Sequence, residues 1–463
     1  MKTKLISFLG ILLPACLVFA TERPAADNDP FAKKSPLVVH EWGTFTSMQG
    51  SNGSALEGLQ HEEESLPDFV YSRTKIRECP LRAHGYKGLE VPASKVTQKM
   101  ETPVIYFHTQ SSQKIRVRVD FMGGLITQWY PVSNLLGPAE NKIKDGPLDI
   151  SKVESSFLEW DAELIPWTGQ APGGIHQVED TNPWKYAREV HAASVRTLPH
   201  TGPLTVSALV AGKTGTAAAS NRMGPFPETE RYLFYRGLGT FSMPVKIESS
   251  EDGRSLVRNT GQHAMPQVFA LEMTPKGGRF QSLGKLGGGQ TAELSLVKSP
   301  LRNKDVVVQE IKTQIQSSLV QQGLFDDEAA AMVKTWSRQW FTTEGSRLIY
   351  IVARECTDKV LPLQITPTPD ATVRVLVGRL EYLTPKVEAE ITDALRNRLS
   401  KNDALRDAAT ARLMNLGRFL EPCVRCALAK NTDQSVQKSG LEILESLQKL
   451  NSEASTLASA GKG

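Results

Sequence analysis

Charge of one sign is what this sequence has least of. Its 54 Lys and Arg residues nearly balance 50 Asp and Glu, leaving a net charge of +4. No run of five or six like charges occurs, and loss of Lys2 and Lys4 with an N-terminal leader would lower the charge by two more. A nucleic-acid partner, which needs a basic face against phosphate, is therefore not expected. Past the first twenty residues, no apolar stretch could span a bilayer as a helix of ~20 residues. Cysteine is scarce, with five in the chain. Cys423-Val424-Arg425-Cys426 has CxxC spacing, but Ala427 stands where c-type haem attachment needs His, and no second CxxC completes a zinc knuckle. His84, His108, His176, His191, His200 and His263 show neither HExxH nor HxH spacing. No cofactor and no metal ion is predicted.

What is present begins with an export signal. Lys2 and Lys4 precede an apolar run from Leu5 to Ala20, and Val18-Phe19-Ala20 suits signal peptidase, which would make Thr21 the first mature residue. Pro14 breaks the run and argues against a retained span. Leu13-Pro14-Ala15-Cys16 offers a second route, a lipoprotein anchored at Cys16. Either way the chain is expected outside the cytoplasm, periplasmic or extracellular. There Cys79, Cys356, Cys423 and Cys426 can form disulfides, and Cys423 with Cys426 is one candidate pair.

The mature chain divides by pattern. Residues 21–36 are polar and read as a disordered lead. From 37 to 300 short strands alternate with turn residues: Lys114 to Asp120 alternates apolar and polar strictly, and Gly123-Gly124 turns the chain into Leu125 to Tyr130. This predicts an antiparallel β-sandwich body. At Lys304 the period changes, with Val308, Ile311, Ile315 and Leu319 at helical spacing, Gly323 as a stop, and Ala329 to Trp340 as a second helix capped by Asp326 or Asp327. Two strands follow, at 347–352 and 372–377, so 301–384 reads as an α+β section. Residues 385–452 carry three apolar helical stripes whose rhythm resembles HEAT-type hairpins, too few to stand alone. Residues 453–463 read as a disordered tail. The fold class is α+β.

The most specific run is His40-Glu41-Trp42-Gly43-Thr44-Phe45-Thr46. It resembles the signature of a family of uncharacterised exported bacterial proteins that begin with HEWGTFT. Met100 to Phe107, Gly124 to Pro131, Leu233-Phe234-Tyr235-Arg236-Gly237 and the span from Trp336 to Arg379 are similar too. The resemblance covers most of residues 37–385. It implies export and a shared fold, and brings no activity, cofactor or catalytic residue.

Strand alternation separates His40 from Glu41 and places His40 with Trp42 on one face. An indole beside an imidazole suits a sugar platform or a hydrogen-bonded core. His61-Glu62-Glu63-Glu64 is rich in cation ligands and reads first as a solvated acidic loop. Lys213-Thr214-Gly215 matches the KTG of penicillin-binding proteins without a Ser-x-x-Lys at a helix start, and reads as a loop. Arg188, Glu230 and Arg236 flank the aromatic cluster near Tyr235, and Glu344, Arg347, Arg354 and Asp358 gather around a later strand. Paired Glu and Arg can fix a polar ligand or stitch an interface. The preferred reading is a binding or structural protein of the cell envelope, meeting a protein partner through its C-terminal helices. The alternative is an enzyme acting on envelope or extracellular carbohydrate by a carboxylate acid/base pair. The candidate ligand-binding residues are His40, Trp42, Glu101, Trp129, Tyr235 and Arg236.

Overall fold

The computed structural model describes residues 30–61, 66–73, 93–138, 148–199, 209–210, 213–214, 218–219 and 226–460. The leader, Cys16, Cys79, Glu62 to Glu64, His84 and His200 lie outside the described residues. Nine strands, numbered along the chain, form the main sheet: β1 Leu37–Gln49, β2 Tyr71–Ser72, β3 Gln98–Thr109, β4 Gly124–Tyr130, β5 Leu233–Gly239, β6 Met265–Thr274, β7 Gly277–Leu286, β8 Gly345–Ile351 and β9 Ala371–Tyr382. Their spatial order is β7-β6-β8-β9-β1-β3-β5-β4-β2. The HEWGTFT strand β1 is central. It pairs antiparallel with β3 and parallel with β9.

The body and the α+β section are therefore not separate units. Strands β8 and β9, from residues past 300, lie in the middle of the sheet built by residues 37–286. Alternation marks a strand but not its partner, so the sequence boundary at 300 falls inside one sheet. Strand β1 is buried on both faces along nearly its whole length, as a central strand covered on both sides must be. A second sheet, including Gln113–Met122 and Ser155–Ile165, shares one apolar core with the first. Gln113–Met122 keeps the expected alternation, with Ile115, Val117 and Val119 inside and Lys114 outside.

Helices α1 (Lys304–Gln321) and α2 (Asp326–Phe341) form a hairpin. Asn303 caps α1 by accepting from the Asp305 amide at 2.8 Å, and Gly323, at φ +104°, ends the connection after it. Residues Ile311, Ile315 and Leu319 bury one face of α1. Neither Asp326 nor Asp327 stands at the N-cap position of α2, although Asp327 accepts the Glu328 amide at 2.9 Å within the first turn. The N-cap is Phe325, whose amide donates to Glu328 in the first turn at 2.8 Å. From residue 385 onward the described chain adds α3 (Pro385–Asn397), α4 (Asp403–Met414), α5 (Leu420–Lys430) and α6 (Gln434–Ala460). They pack around a second, smaller core in which Ile391, Leu395, Leu413 and Val424 meet Met48, Leu125 and Leu238 of the sheet. Glu388 on α3 fastens them to the body by accepting from the Ser51 amide and hydroxyl and from Lys430.

Two edges of the sequence reading move. Phe31 is buried under the Arg116 guanidinium, and the Leu37 amide donates to Asp370, so the end of the lead is tied to the body at Phe31 while Ala32 to Lys34 stay exposed. The last helix continues to Ala460, past 452, through the strong helix formers Ala454, Ala458 and Ala460. Among the described residues, no helix is long and apolar enough to cross a membrane.

Candidate functional site

The register of β1 and β3 decides which side chains meet. His40 pairs with Tyr106, and Val38 with His108, so His40 and His108 project from the same face. Helix α2 runs across that face and starts above them. Its Glu328 side chain is fully buried, and accepts from His40 Nδ1 at 2.6 Å on one oxygen and from His108 Nε2 at 2.9 Å on the other. The three ligand atoms lie within 4.8 Å of one another. Burial pushes the Glu328 carboxyl up, but the bonds from His108, His40 and the Phe325 amide outweigh it and leave the group below its ordinary range. The Phe325 ring stands 4.5 Å from the His40 ring and 4.8 Å from His108, and is half exposed. The His108 side chain keeps 18% of its surface open, against 3% for His40.

About 12 Å further along α2, at 1.5 Å per residue, the same sheet face carries a buried polar network. A β-bulge lies between Trp42 and Thr44 in the β1–β3 ladder. At that place Gly43 lies against Pro103, and Thr102 takes a left-handed φ of +52°, an unusual conformation for a β-branched residue. Beyond the bulge Glu101 accepts from the Thr46 hydroxyl at 2.6 Å and from Arg418 at 2.7 Å. Glu381 is held by Arg379 at 2.7 Å and Arg347 at 2.8 Å, and Arg347 also donates to the Trp340 carbonyl. The Phe419 ring lies under both Arg379 and Arg418.

Glu101, Thr102, Arg236, Trp336 and Gln339 line a small pocket of about 40 Å³. The Trp336 indole N–H and the Gln339 carbonyl oxygen are buried there without a protein partner. That volume holds about two or three waters, which such groups require. Of the six predicted ligand-binding residues, Glu101 and Arg236 meet in this pocket. His40 belongs to the His108–Glu328 cluster instead.

The other three do not join either place. Tyr235 lies on the opposite face of the sheet, where it and Arg374 both donate to Glu41, and Asp358 completes the row at 2.7 Å from Arg374. Trp42, Trp129 and Tyr235 are fully buried. An indole or phenol stacks on a sugar only from an open surface, so the expected carbohydrate platform is replaced by core packing: Trp129 stacks on Tyr71, and Trp42 tilts against Tyr106. Arg188 does pair with Glu230, at 2.6 Å. The second expected cluster divides, with Arg354 on Asp358 and Arg347 on Glu381.

Cys423 and Cys426 are free thiols on α5. Residues three apart on a helix hold their Cβ atoms about 5–6 Å apart, beyond the ~3.5–4.5 Å of a disulfide. His61 is drawn to Glu421 on α5, at 2.8 Å. Lys213–Thr214 pairs with Leu209–Val210 in a short two-stranded ladder.

The His40–His108–Glu328 cluster carries no local sequence signal. Its members lie on three elements, 68 and 220 residues apart in sequence. What could have found it is the strand register, since an antiparallel β1–β3 pair places both imidazoles on one face.

No protein-family model matches the chain, and no curated protein matches it. Among solved structures, it is similar to a yeast delta-COP-I mu-homology domain complexed with a Dsl1 WxWxV peptide, at 6% identity and a TM-score of 0.23, over 76% of this chain and 98% of that one. A Fcho1 mu homology domain from Danio rerio with a bound Eps15 peptide gives 6% identity and 0.24, over 75% and 97%. A second structure of a yeast delta-COP-I mu-homology domain gives 7% and 0.24, over 76% and 97%. Likeness at this level fixes neither the topology nor the function of the chain.

Proposed function

We propose that the protein is an exported binding protein of the cell envelope that meets a protein partner through its C-terminal helices. The observation that carries this reading is the exposure of large apolar side chains there: Leu399, Leu405, Met414 and Leu441, with Met414 72% accessible. The helices are fastened to the body from the inside by Arg418 on Glu101 and by Glu388 on Ser51, which leaves their outer sides to solvent. We take these side chains as one apolar patch, and a contiguous patch of this kind favours a partner that covers it. The leader, cleaved after Ala20 or anchored at Cys16, and the resemblance to an exported HEWGTFT family support an envelope location. The burial of Trp42, Trp129 and Tyr235 counts against a carbohydrate-active enzyme.

The test has two readings. The intact mass of protein recovered from the native host is expected to correspond to a chain starting at Thr21, or at a lipidated Cys16. A photo-crosslinking residue at Met414 or Leu441 is expected to capture a second polypeptide in the cell, and the same residue at the polar position Lys285 is not. A chain retaining Met1, or identical crosslinking at all three positions, would overturn the proposal.

A further inference from the structure

We infer that His40, His108 and Glu328 form a binding site for a divalent first-row transition metal, Zn²⁺ by ligand type. Two imidazoles and one carboxylate are a ligand set that zinc takes in three-ligand sites, with the remaining position left to water or another small ligand. The three donors come from β1, β3 and α2, elements locked in place by the sheet ladder and the core rather than by a loop. Their ligand atoms lie within 4.8 Å of one another. The present separations, 2.6 Å and 2.9 Å, are hydrogen-bond lengths. Metal bonds of ~2.0–2.1 Å in a tetrahedron put neighbouring ligand atoms about 3.3 Å apart, so the His40 and His108 contacts to Glu328 lengthen by about 0.7 Å and 0.4 Å, and the widest pair, at up to 4.8 Å, closes by about 1.5 Å.

The surroundings suit an ion as well as the donors do. The Phe325 amide holds the Glu328 oxygen that faces His40, the outer hydrogen bond that orients a metal-bound carboxylate. The Phe325 ring covers both imidazoles, while the partly open His108 edge supplies a way in. The proton balance is simple. Each imidazole now presents N–H to Glu328. On binding, that proton moves to the other ring nitrogen, and the freed lone pair goes to the metal. No bond of the chain breaks, and one carboxylate with two neutral imidazoles leaves the loaded site with a charge of +1. Outside this cluster, His191 sits beside Asp327 at 3.2 Å on the exposed side of the same helix turn, and serves as a nearby control.

The test uses Co²⁺ as a spectroscopic probe on the full mature chain, with Zn²⁺ as competitor. Wild-type protein is expected to bind one Co²⁺ per chain, with ligand-field absorption that Zn²⁺ abolishes. His108→Ala, at the open edge, is expected to retain the wild-type circular dichroism and to bind at least about tenfold more weakly. His191→Ala is expected to bind as wild type does. Glu328→Gln also loses a helix-capping carboxylate, so its stability is measured separately, and the inference rests on His108→Ala. Absence of the ligand-field band in wild type would leave the cluster a hydrogen-bonded clamp between α2 and the sheet. Equal affinity in His108→Ala would place the ion elsewhere, and either result overturns the inference.

Discussion

Arg418, in the turn between α4 and α5, donates to Glu101 of β3 across 2.7 Å, and both side chains are almost fully buried. Removing one partner strands a charge away from water. Glu101→Gln or Arg418→Ala alone is expected to lower the unfolding free energy by about 3–5 kcal/mol, as for other buried pairs. A double variant, Glu101→Leu with Arg418→Met, is expected to lose clearly less than the two single losses combined, because no unpaired charge remains. Urea unfolding followed by circular dichroism measures both. A single-variant loss under about 1 kcal/mol would mean that the pair behaves like an exposed one.

The same network predicts the acid limb of stability. Burial pushes the Glu101 carboxyl up, but Arg418, Lys99 and Arg236 outweigh it and hold the group well below the usual range. Burial likewise raises Glu381, and Arg347 and Arg379 hold it low. A carboxylate depressed in the folded state stabilises the protein above its unfolded pKa of about 4.3, and that contribution is lost as pH falls toward the folded value. Wild type is therefore expected to lose stability steeply below about pH 4. Glu101→Gln should start lower at neutral pH and fall less. Parallel pH profiles for the two proteins would contradict this account.

Gly43, in the HEWGTFT strand, is required by close approach rather than by a positive φ. A Cβ there would come 2.8 Å from the Pro103 Cα, against backbone that cannot swing aside. Gly43→Ala is expected to cost about 1–3 kcal/mol by overpacking. Thermal unfolding of this variant beside Gly50→Ala, whose Cβ would meet only side-chain atoms at 3.2–3.3 Å, checks it. An equal change in both would remove the special role of the bulge.

How much of this was legible depends on whether a feature is written locally. The alternation of Lys114 to Asp120 and the helical spacing of Ile311, Ile315 and Leu319 state which face is buried, and the structure buries those faces. The separation of His40 from Glu41 was equally readable: Glu41 goes to Arg374 on one side and His40 to Glu328 on the other. Pairing was not readable. The register Glu41 opposite Arg374 joins residues 333 apart, and periodicity gives the face of a strand without naming its neighbour. Aromatic residues misled for a related reason. Trp42, Trp129 and Tyr235 have the same chemistry in a core as on a platform, and only burial separates the two.

The two helical cysteines give the last prediction. Burial, with Cys426 nearby, pushes the Cys423 thiol far above its ordinary range. Burial and the neighbouring Glu388 carboxylate push Cys426 up to about 11. The reactive species is the thiolate, so both thiols should be nearly inert at neutral pH, in contrast to a redox CxxC, whose first thiol is depressed. Maleimide labelling read by peptide mass mapping is expected to leave Cys423 and Cys426 unmodified in folded protein and to modify both in urea. Dithiothreitol is expected not to shift the melting temperature through this pair. A mapped Cys423–Cys426 disulfide, or rapid labelling of either thiol in the folded chain, would show that α5 opens there. In that case the chain would carry a redox group that its helix geometry argues against.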